Sequence, residues 1–367
     1  MNVEQILRDL IALRTDDKTI GNKACADYIC QKLSAQKIIF ERMVLSGSSV
    51  ENIIAGINIA ELKNINDGLI LSAHMDTVGA NINLWNTDPF TACLRDNCIY
   101  GRGTVDMKYF IATVLSLLPE LKNVDYPVFL VFSGDEETDV QGVRQLISFM
   151  KDRNIHPQYA LVGEPTNFNL CLAHNGYCGF RTYVKGVSGH SSRPDLGVNA
   201  IYAAAKIVAK IEELNAYYQP LGTTLNVGVI QGGTGRNSIA GNCRFDWDVR
   251  YVSDNHRHSI VDEIEKFCKE LQAENLSLAV SYEVMEELPA FENENNNRIL
   301  SVANMLLQTD KNTLPFATEA GFFQRYAVQT LVCGAGDTAL AHAANEYIRI
   351  GDLNKYRDFL ARFIKAI

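Results

Sequence analysis

No CxxC pair, no long uninterrupted apolar run and no block of like charges occurs in these 367 residues. Each absence excludes a class. The nine cysteines (Cys25, Cys30, Cys93, Cys98, Cys171, Cys178, Cys243, Cys268 and Cys333) are odd in number and unpaired in spacing, which argues against a disulfide framework or a cysteine zinc site. Reduced thiols in the cytoplasm are the expectation, and any metal would have to use His, Asp and Glu. Without some eighteen consecutive apolar residues there is no candidate membrane span. Basic residues are outnumbered, 34 Lys and Arg against 43 Asp and Glu, so a nucleic-acid or anionic-membrane surface is not expected. The chain also lacks a GxSxG elbow, a P-loop and a dinucleotide loop. The opening "MNVEQILRDLIALRTDD" places Val3, Ile6, Leu7, Leu10 and Ile11 at helical spacing, as a folded helix does and a signal peptide does not.

What is present alternates. A helix near 22–34 precedes a strand at Leu69–Ser72, and "VDMKYFIATVLSLL" has a helical apolar stripe. The continuous apolar run "PVFLVFS" (127–133) suits a sheet covered on both faces, and a helix and the strand "YALVG" follow it. The pattern predicts a doubly wound α/β domain. From about residue 178 the order changes to β-α-β-β-α-β, through "FRTYVKG", a helix at 197–213, "TTLNVGVI", "CRFDWDVRYV", a helix near 258–272 and "LAVSYEV". After that the α/β pattern resumes, with "TLVCG" and a closing helix. The expected architecture is an α/β domain (1–177 and 287–367) interrupted by a smaller inserted α+β domain (178–286).

Polar residues collect just after the strands, where sites in open α/β sheets form. "LILSAHMDTV" ends on His74 and Asp76, two positions apart and therefore on one face. Asp106 stands in "YGRGTVDMK", Asp135, Glu136 and Glu137 in "FSGDEET", Glu164 in "VGEPT", and His342 beyond "TLVCG". Singly, each has an ordinary explanation: a helix cap, a turn residue, a solvated pair. Jointly they put a His or an acid at nearly every strand end. Two His and three carboxylates, one of them shared, suit two divalent ions, with zinc the natural choice for mixed nitrogen and oxygen donors. Of the adjacent Glu136 and Glu137, one can ligate while the other takes a proton from water.

"SAHMDTV", "GRGTVDMK", "DEE", "GEPT", "GHSSRPDLGVNAI", "GGTGRNSIAGNC" and "CGAGDTALAHAANEY" resemble, in order, the motifs of the M20 family of dinuclear zinc amidohydrolases. The resemblance implies that His74 and Glu164 hold one metal (Zn²⁺, or Co²⁺), that Glu137 and His342 hold the other, and that Asp106 bridges. It implies that Asp76 orients His74, that Glu136 is the general base, and that the chain is a homodimer through the inserted domain. His190 would then reach the partner's active site to stabilise an oxyanion. Asn237 and Arg250 match substrate-contacting positions, the Arg suiting a carboxylate. Around "TEAGFFQ" and "AHAANEY" the sequence is most similar to members acting on N-acetylated amino acids such as N-acetylornithine, and Glu319 is a candidate reader of a substrate cation. N-acetylcitrulline, succinyl-diaminopimelate, dipeptides and a catalytically silent binding role are the alternatives. The chain departs from the family pattern at Gly79, Tyr109, Asn175 and Ala343–Ala344, none of them a metal-ligand or base position.

Overall fold

In the computed structural model, which describes residues 2–17, 19–293 and 297–367, the run Val128–Ser133 is buried along its whole length. It lies inside a mixed sheet ordered Ile39–Val44, Glu51–Ile57, Val128–Ser133, Leu69–His74, Tyr159–Val162, Gln329–Val332 and Leu170–His174. The four strands from Val128–Ser133 to Gln329–Val332 are parallel, and the flanking ones are antiparallel. Alternation along Leu69–His74 sends Leu69, Leu71 and Ala73 into the larger core, shared with the helices Val3–Ala12, Lys23–Ala35, Lys108–Ser116 and Ile350–Ala366. Ile70, Ser72 and His74 belong to the opposite face, where the helices Gln141–Asp152 and Ala320–Arg325 pack. The sheet is thus covered on both sides, as the apolar runs predicted. No helix among the described residues is long and apolar enough to cross a membrane.

Three features were not legible in the sequence: the meander Ile39–Val44/Glu51–Ile57, the strand Leu170–His174, and a small sheet of Cys93–Arg95, Cys98–Tyr100 and Tyr347–Arg349. "ENIIAGI" carries a Glu, an Asn and a Gly, which mask a strand that is wholly buried.

The chain divides into two compact units, one comprising Met1–Ala173, Asn293–Thr313 and Thr318–Ile367, the other His174–Glu292 and Leu314–Ala317. The boundaries lie a few residues outside the expected 178 and 286, because Gly176–Lys185 and Ala279–Leu288 are longer than the motifs suggested. The second unit is an antiparallel sheet ordered Thr224–Gly232, Asn242–Tyr251, Gly176–Lys185 and Ala279–Leu288. Its core joins the inward residues of these strands to the helices Ala200–Tyr218 and Asp254–Glu274. Phe180 stacks on Trp247 with ring centroids 4.3 Å apart, and the indole N–H donates to Thr182 Oγ1 at 3.0 Å. On the opposite face Arg181 makes a bidentate pair with Asp246 at 2.8 and 2.7 Å. Phe180→Ala removes the central ring of this small core and should destabilise the unit by about 3–5 kcal/mol. Chemical denaturation followed by Trp fluorescence measures this, and an unchanged midpoint would show that the unit's stability lies elsewhere.

Candidate metal centre

Parallel strands end on the same edge of a sheet, and here that edge gathers the polar residues. His74 closes Leu69–His74, Glu136 and Glu137 follow Val128–Ser133, Glu164 follows Tyr159–Val162, and His342 lies in the loop after Gln329–Val332. Asp106 comes from the loop before Lys108–Ser116. Two ligand trios result, His74–Asp106–Glu164 and Asp106–Glu137–His342, each with its donor atoms within 4.8 Å of one another. Asp106 is common to both. Its Oδ1 lies 3.0 Å from His74 Nε2 and its Oδ2 lies 3.3 Å from His342 Nε2, one carboxylate oxygen for each imidazole. His74 Nε2 is 3.8 Å from Glu164 Oε1, and His342 Nε2 is 3.0 Å from Glu137.

The strand's HxD ending does two jobs. His74 Nδ1 lies 3.0 Å from the backbone carbonyl of Asp76, so its proton is donated there and Nε2 keeps a lone pair. The Asp76 carboxylate is farther from Nδ1, at 3.7 Å, and instead accepts the backbone N–H groups of Glu136 and Glu137 at 3.2 and 3.0 Å. Asp76 therefore orients His74 mainly through its main chain. Its side chain shapes the turn that presents the two glutamates. Glu137 belongs to the second trio, and Glu136 to neither.

The electrostatics call for cations. Burial raises the Glu136 and Glu164 carboxyls well above the ordinary carboxylate range, and the neighbouring acids add to it. Burial opposes charge on His74, yet the hydrogen bond to Asp106 and the charges of Glu164 and Glu136 hold its pKa well above the usual value. His342 is pushed up to about 10 by hydrogen bonds to Asp106 and Glu137. Asp106 is desolvated too, but the two imidazoles keep it below the normal range. Such a cluster recruits positive charge, and three carboxylates with two imidazole nitrogens form a donor set suited to two divalent ions.

The remaining candidates sit elsewhere. In the second unit Gly189–His190 pairs with Ser238–Ile239, and the Ser191 N–H donates to the Asn237 carbonyl at 3.1 Å, so His190 and Asn237 are exposed neighbours on one short two-stranded ribbon. Arg250 stands near the far end of the strand Asn242–Tyr251 with its guanidinium 4.1 Å from the centre of the Tyr177 ring. At ~3.4 Å per residue that is roughly 27 Å from the Asn242 end, which follows the ribbon. Glu319 is buried, and its Oε2 accepts from Ser72 Oγ at 3.0 Å. Tyr109 is likewise buried, with its hydroxyl donating to the Gly163 carbonyl at 2.6 Å beside the Glu164 turn.

The sequence pattern of the family described as peptidase family M20/M25/M40 matches residues 70–366. The chain belongs to this family. It is 32% identical to the acetylornithine deacetylase of Photorhabdus laumondii over 311 residues, 81% of this chain and 79% of that protein. With the acetylornithine deacetylase of Buchnera aphidicola subsp. Acyrthosiphon pisum it shares 30% identity over 316 residues, 82% of this chain and 80% of the other. Among solved structures the fold is that of the aminopeptidase PepT of Bacillus cereus, with a TM-score of 0.76 at 19% identity, covering 100% of this chain and 99% of that one. The Bacillus subtilis YXEP protein, titled a dinuclear metal-binding peptidase of the M20 family, gives a TM-score of 0.67 at 14% identity, covering 99% and 96%. The protein is a hydrolase of this M20 family.

Sequence reasoning missed Arg102 and Glu346, which are buried directly behind Asp106. A lone Glu in the otherwise uncharged run "TALAHAANEY" was the available signal. For Asp76, removing the carboxylate in Asp76→Ala leaves two N–H groups of the glutamate turn unanswered, and metal affinity should fall by about 10–100-fold. Equilibrium dialysis against Zn²⁺ measures it, and wild-type affinity would show that the turn holds its own shape.

Proposed function

We propose that the chain hydrolyses the amide of an N-acyl amino acid with two divalent ions, zinc in first place, and that N-acetylornithine, yielding ornithine and acetate, is the leading substrate. The observation that carries the reaction class is the pair of trios sharing Asp106, with Glu136 beside them and in neither. The substrate rests on the acetylornithine deacetylases among the relatives. Divalent ions held by His74, Asp106, Glu137, Glu164 and His342 would supply Lewis acidity and the positive charge that the clustered acids call for. Glu136 accepts a proton from the attacking water and returns it to the departing amine. Cytoplasmic residence suits the free thiols and the small-molecule substrate.

The inserted unit contributes the other polar contacts. The Ser192 N–H and hydroxyl both address His190 Nδ1, at 3.2 and 2.8 Å, which leaves the imidazole proton on the exposed Nε2, ready to donate to a developing oxyanion. Arg250 is suited to a substrate carboxylate. A single inserted unit holds His190 and Asn237 at one end of its sheet and Arg250 near the other, a span far longer than an acyl amino acid. This supports a homodimer in which His190 and Asn237 of the partner subunit complete a site served by this chain's own Arg250. The edge strand Thr224–Gly232 carries no charge and exposes Val229 and Ile230, a surface open to pairing between copies.

Glu136→Gln should keep both metals while turnover falls by about 10²-fold or more. Near-normal turnover with two metals bound refutes this assignment. A panel of N-acetylornithine, N-acetylcitrulline, N-acetylmethionine, N-succinyl-diaminopimelate and dipeptides with added Zn²⁺ or Co²⁺ tests the substrate, and a clear preference for any of the others replaces N-acetylornithine.

The role of His190 across subunits has its own test. An oxyanion donor is worth roughly 10²–10³ in rate, so His190→Ala alone should be nearly inactive with metal binding intact. When His190→Ala and Glu136→Gln chains exchange subunits, each mixed dimer regains one working site. Exchange without recovered activity places His190 in its own chain's site or outside the reaction.

A further inference from the structure

Glu346 is fully buried, and every group around its carboxylate donates to it. Oε2 accepts from Arg102 Nη1 at 2.7 Å and the Gly103 N–H at 3.0 Å, and Oε1 accepts from the Val105 N–H at 2.7 Å and the Asp106 N–H at 3.2 Å. The Thr104 hydroxyl lies 3.4 Å from Oε1, and the Glu346 carbonyl accepts the Gly101 N–H at 3.0 Å. One residue therefore organises the backbone from Gly101 to Asp106, the loop that presents the shared ligand.

Arg102 carries the same clamp in the other direction. Its Nη2 reaches the carbonyls of His342 at 3.3 Å and Gly79 at 3.4 Å, tying the loop of the second imidazole and the loop beyond Asp76 to the same ion pair. The His342 backbone is left-handed, with φ +61°, a conformation a non-glycine residue holds only when its surroundings impose it. The His342 side chain is 53% exposed, whereas that of His74 is 1% exposed and anchored in the sheet. The loop has other anchors, the Ala343 N–H on the Leu340 carbonyl at 3.2 Å and the Asn86 N–H on Asn345 Oδ1 at 2.7 Å, but the clamp is what ties the His342 main chain to the Asp106 loop.

We propose that Glu346 and Arg102 are positioning residues that set the register between the Asp106 and His342 loops, so that the metal held by Asp106, Glu137 and His342 depends on them far more than the metal held by His74, Asp106 and Glu164. The proposal rests on the dinuclear reading above. It follows from which ligands have independent support. His74 and Glu164 sit at the ends of paired strands, while His342 is fixed through its own carbonyl by Arg102. Glutamine cannot replace Glu346, because its NH₂ would face donors on either side. Lysine cannot replace Arg102, because a single ammonium lacks the planar fork that pairs with Glu346 while reaching the His342 carbonyl.

Equilibrium dialysis of the full-length protein against Co²⁺, with the visible spectrum recorded at each equivalent, separates the two sites. Wild type should bind two equivalents and His342→Ala one. Arg102→Lys and Glu346→Gln should bind the first equivalent within about threefold of wild type and the second 10–100-fold more weakly, the usual scale for residues that orient ligands. The spectral change of the second equivalent should shift with them. If wild type binds fewer than two equivalents, or His342→Ala retains two, the dinuclear reading fails and the proposal with it. If those controls behave and both variants bind two equivalents with wild-type affinity, the positioning role alone is overturned. Equal weakening of both sites, with a lowered melting temperature of the metal-free protein, makes the pair a general brace and also overturns it. Should Glu346→Gln fail to fold, Arg102→Lys decides by the same criteria.

Discussion

The constraint on which the rest of the molecule depends is that one carboxylate, Asp106, must face two imidazoles separated by more than 260 residues of sequence. Around that bridge stand Glu136, Glu137 and Glu164, and repulsion among them is severe. Two unit charges about 4 Å apart at an effective dielectric of 20 interact by about 4 kcal/mol. A few such pairs rival the ~5–15 kcal/mol of net stability of a whole domain. A fold can hold these groups together only if positive charge accompanies them and their backbones cannot retreat. The rise of the carboxyls and imidazoles alike expresses the first condition. The parallel strands supply the second, since strands paired on both sides place their C-terminal residues at one edge and cannot slide without breaking register.

The strand ends solve only part of the problem. His74, Glu137 and Glu164 follow strands closely, but Asp106 precedes a helix and His342 lies well beyond its strand. These two need another support, and the buried Arg102–Glu346 pair is where the structure concentrates it. A buried ion pair is weak evidence for stability as such. Here most of its hydrogen bonds end on backbone amides and carbonyls of the site loops, and that distribution favours a positioning role over simple cohesion.

This division also explains what was legible in the sequence. Candidate ligands at strand ends announce themselves, because an apolar run that stops on His or Glu is visible locally. The β-α-β-β-α-β order of the inserted unit was readable for the same reason, each element carrying its own period. Arg102 and Glu346 were not, because apart from each other their partners are mostly backbone groups, and backbone groups leave no trace in side-chain pattern. The division of labour within Asp76 was hidden likewise: spacing puts it beside His74, but only the structure shows its carboxylate turned toward the glutamate amides. The surroundings of Glu319 were hidden as well: nothing in "TEAG" shows that the helix it precedes packs on the sheet and carries the carboxylate inward to Ser72.

The inserted unit poses a different physical problem. Its sheet has one face covered by two helices and one lined by paired polar side chains, among them Arg181 with Asp246 and Tyr183 with Glu283. Hydrogen-bonded in this way, that face has little apolar surface to drive association. The strand Thr224–Gly232 is different, because its outer backbone groups are unpaired within the sheet and it has no lysine or proline to discourage pairing. Association through such an edge is directional, since an antiparallel pairing of two identical strands generates a two-fold axis. A two-fold axis beside an edge strand reverses the strand direction of the second copy relative to the first, so the His190 end of one sheet is turned toward the Arg250 end of the other. Two copies paired in this way would bring together from two chains the ends that one chain keeps apart, which is the arrangement that the proposed sharing of one substrate by His190 and Arg250 requires.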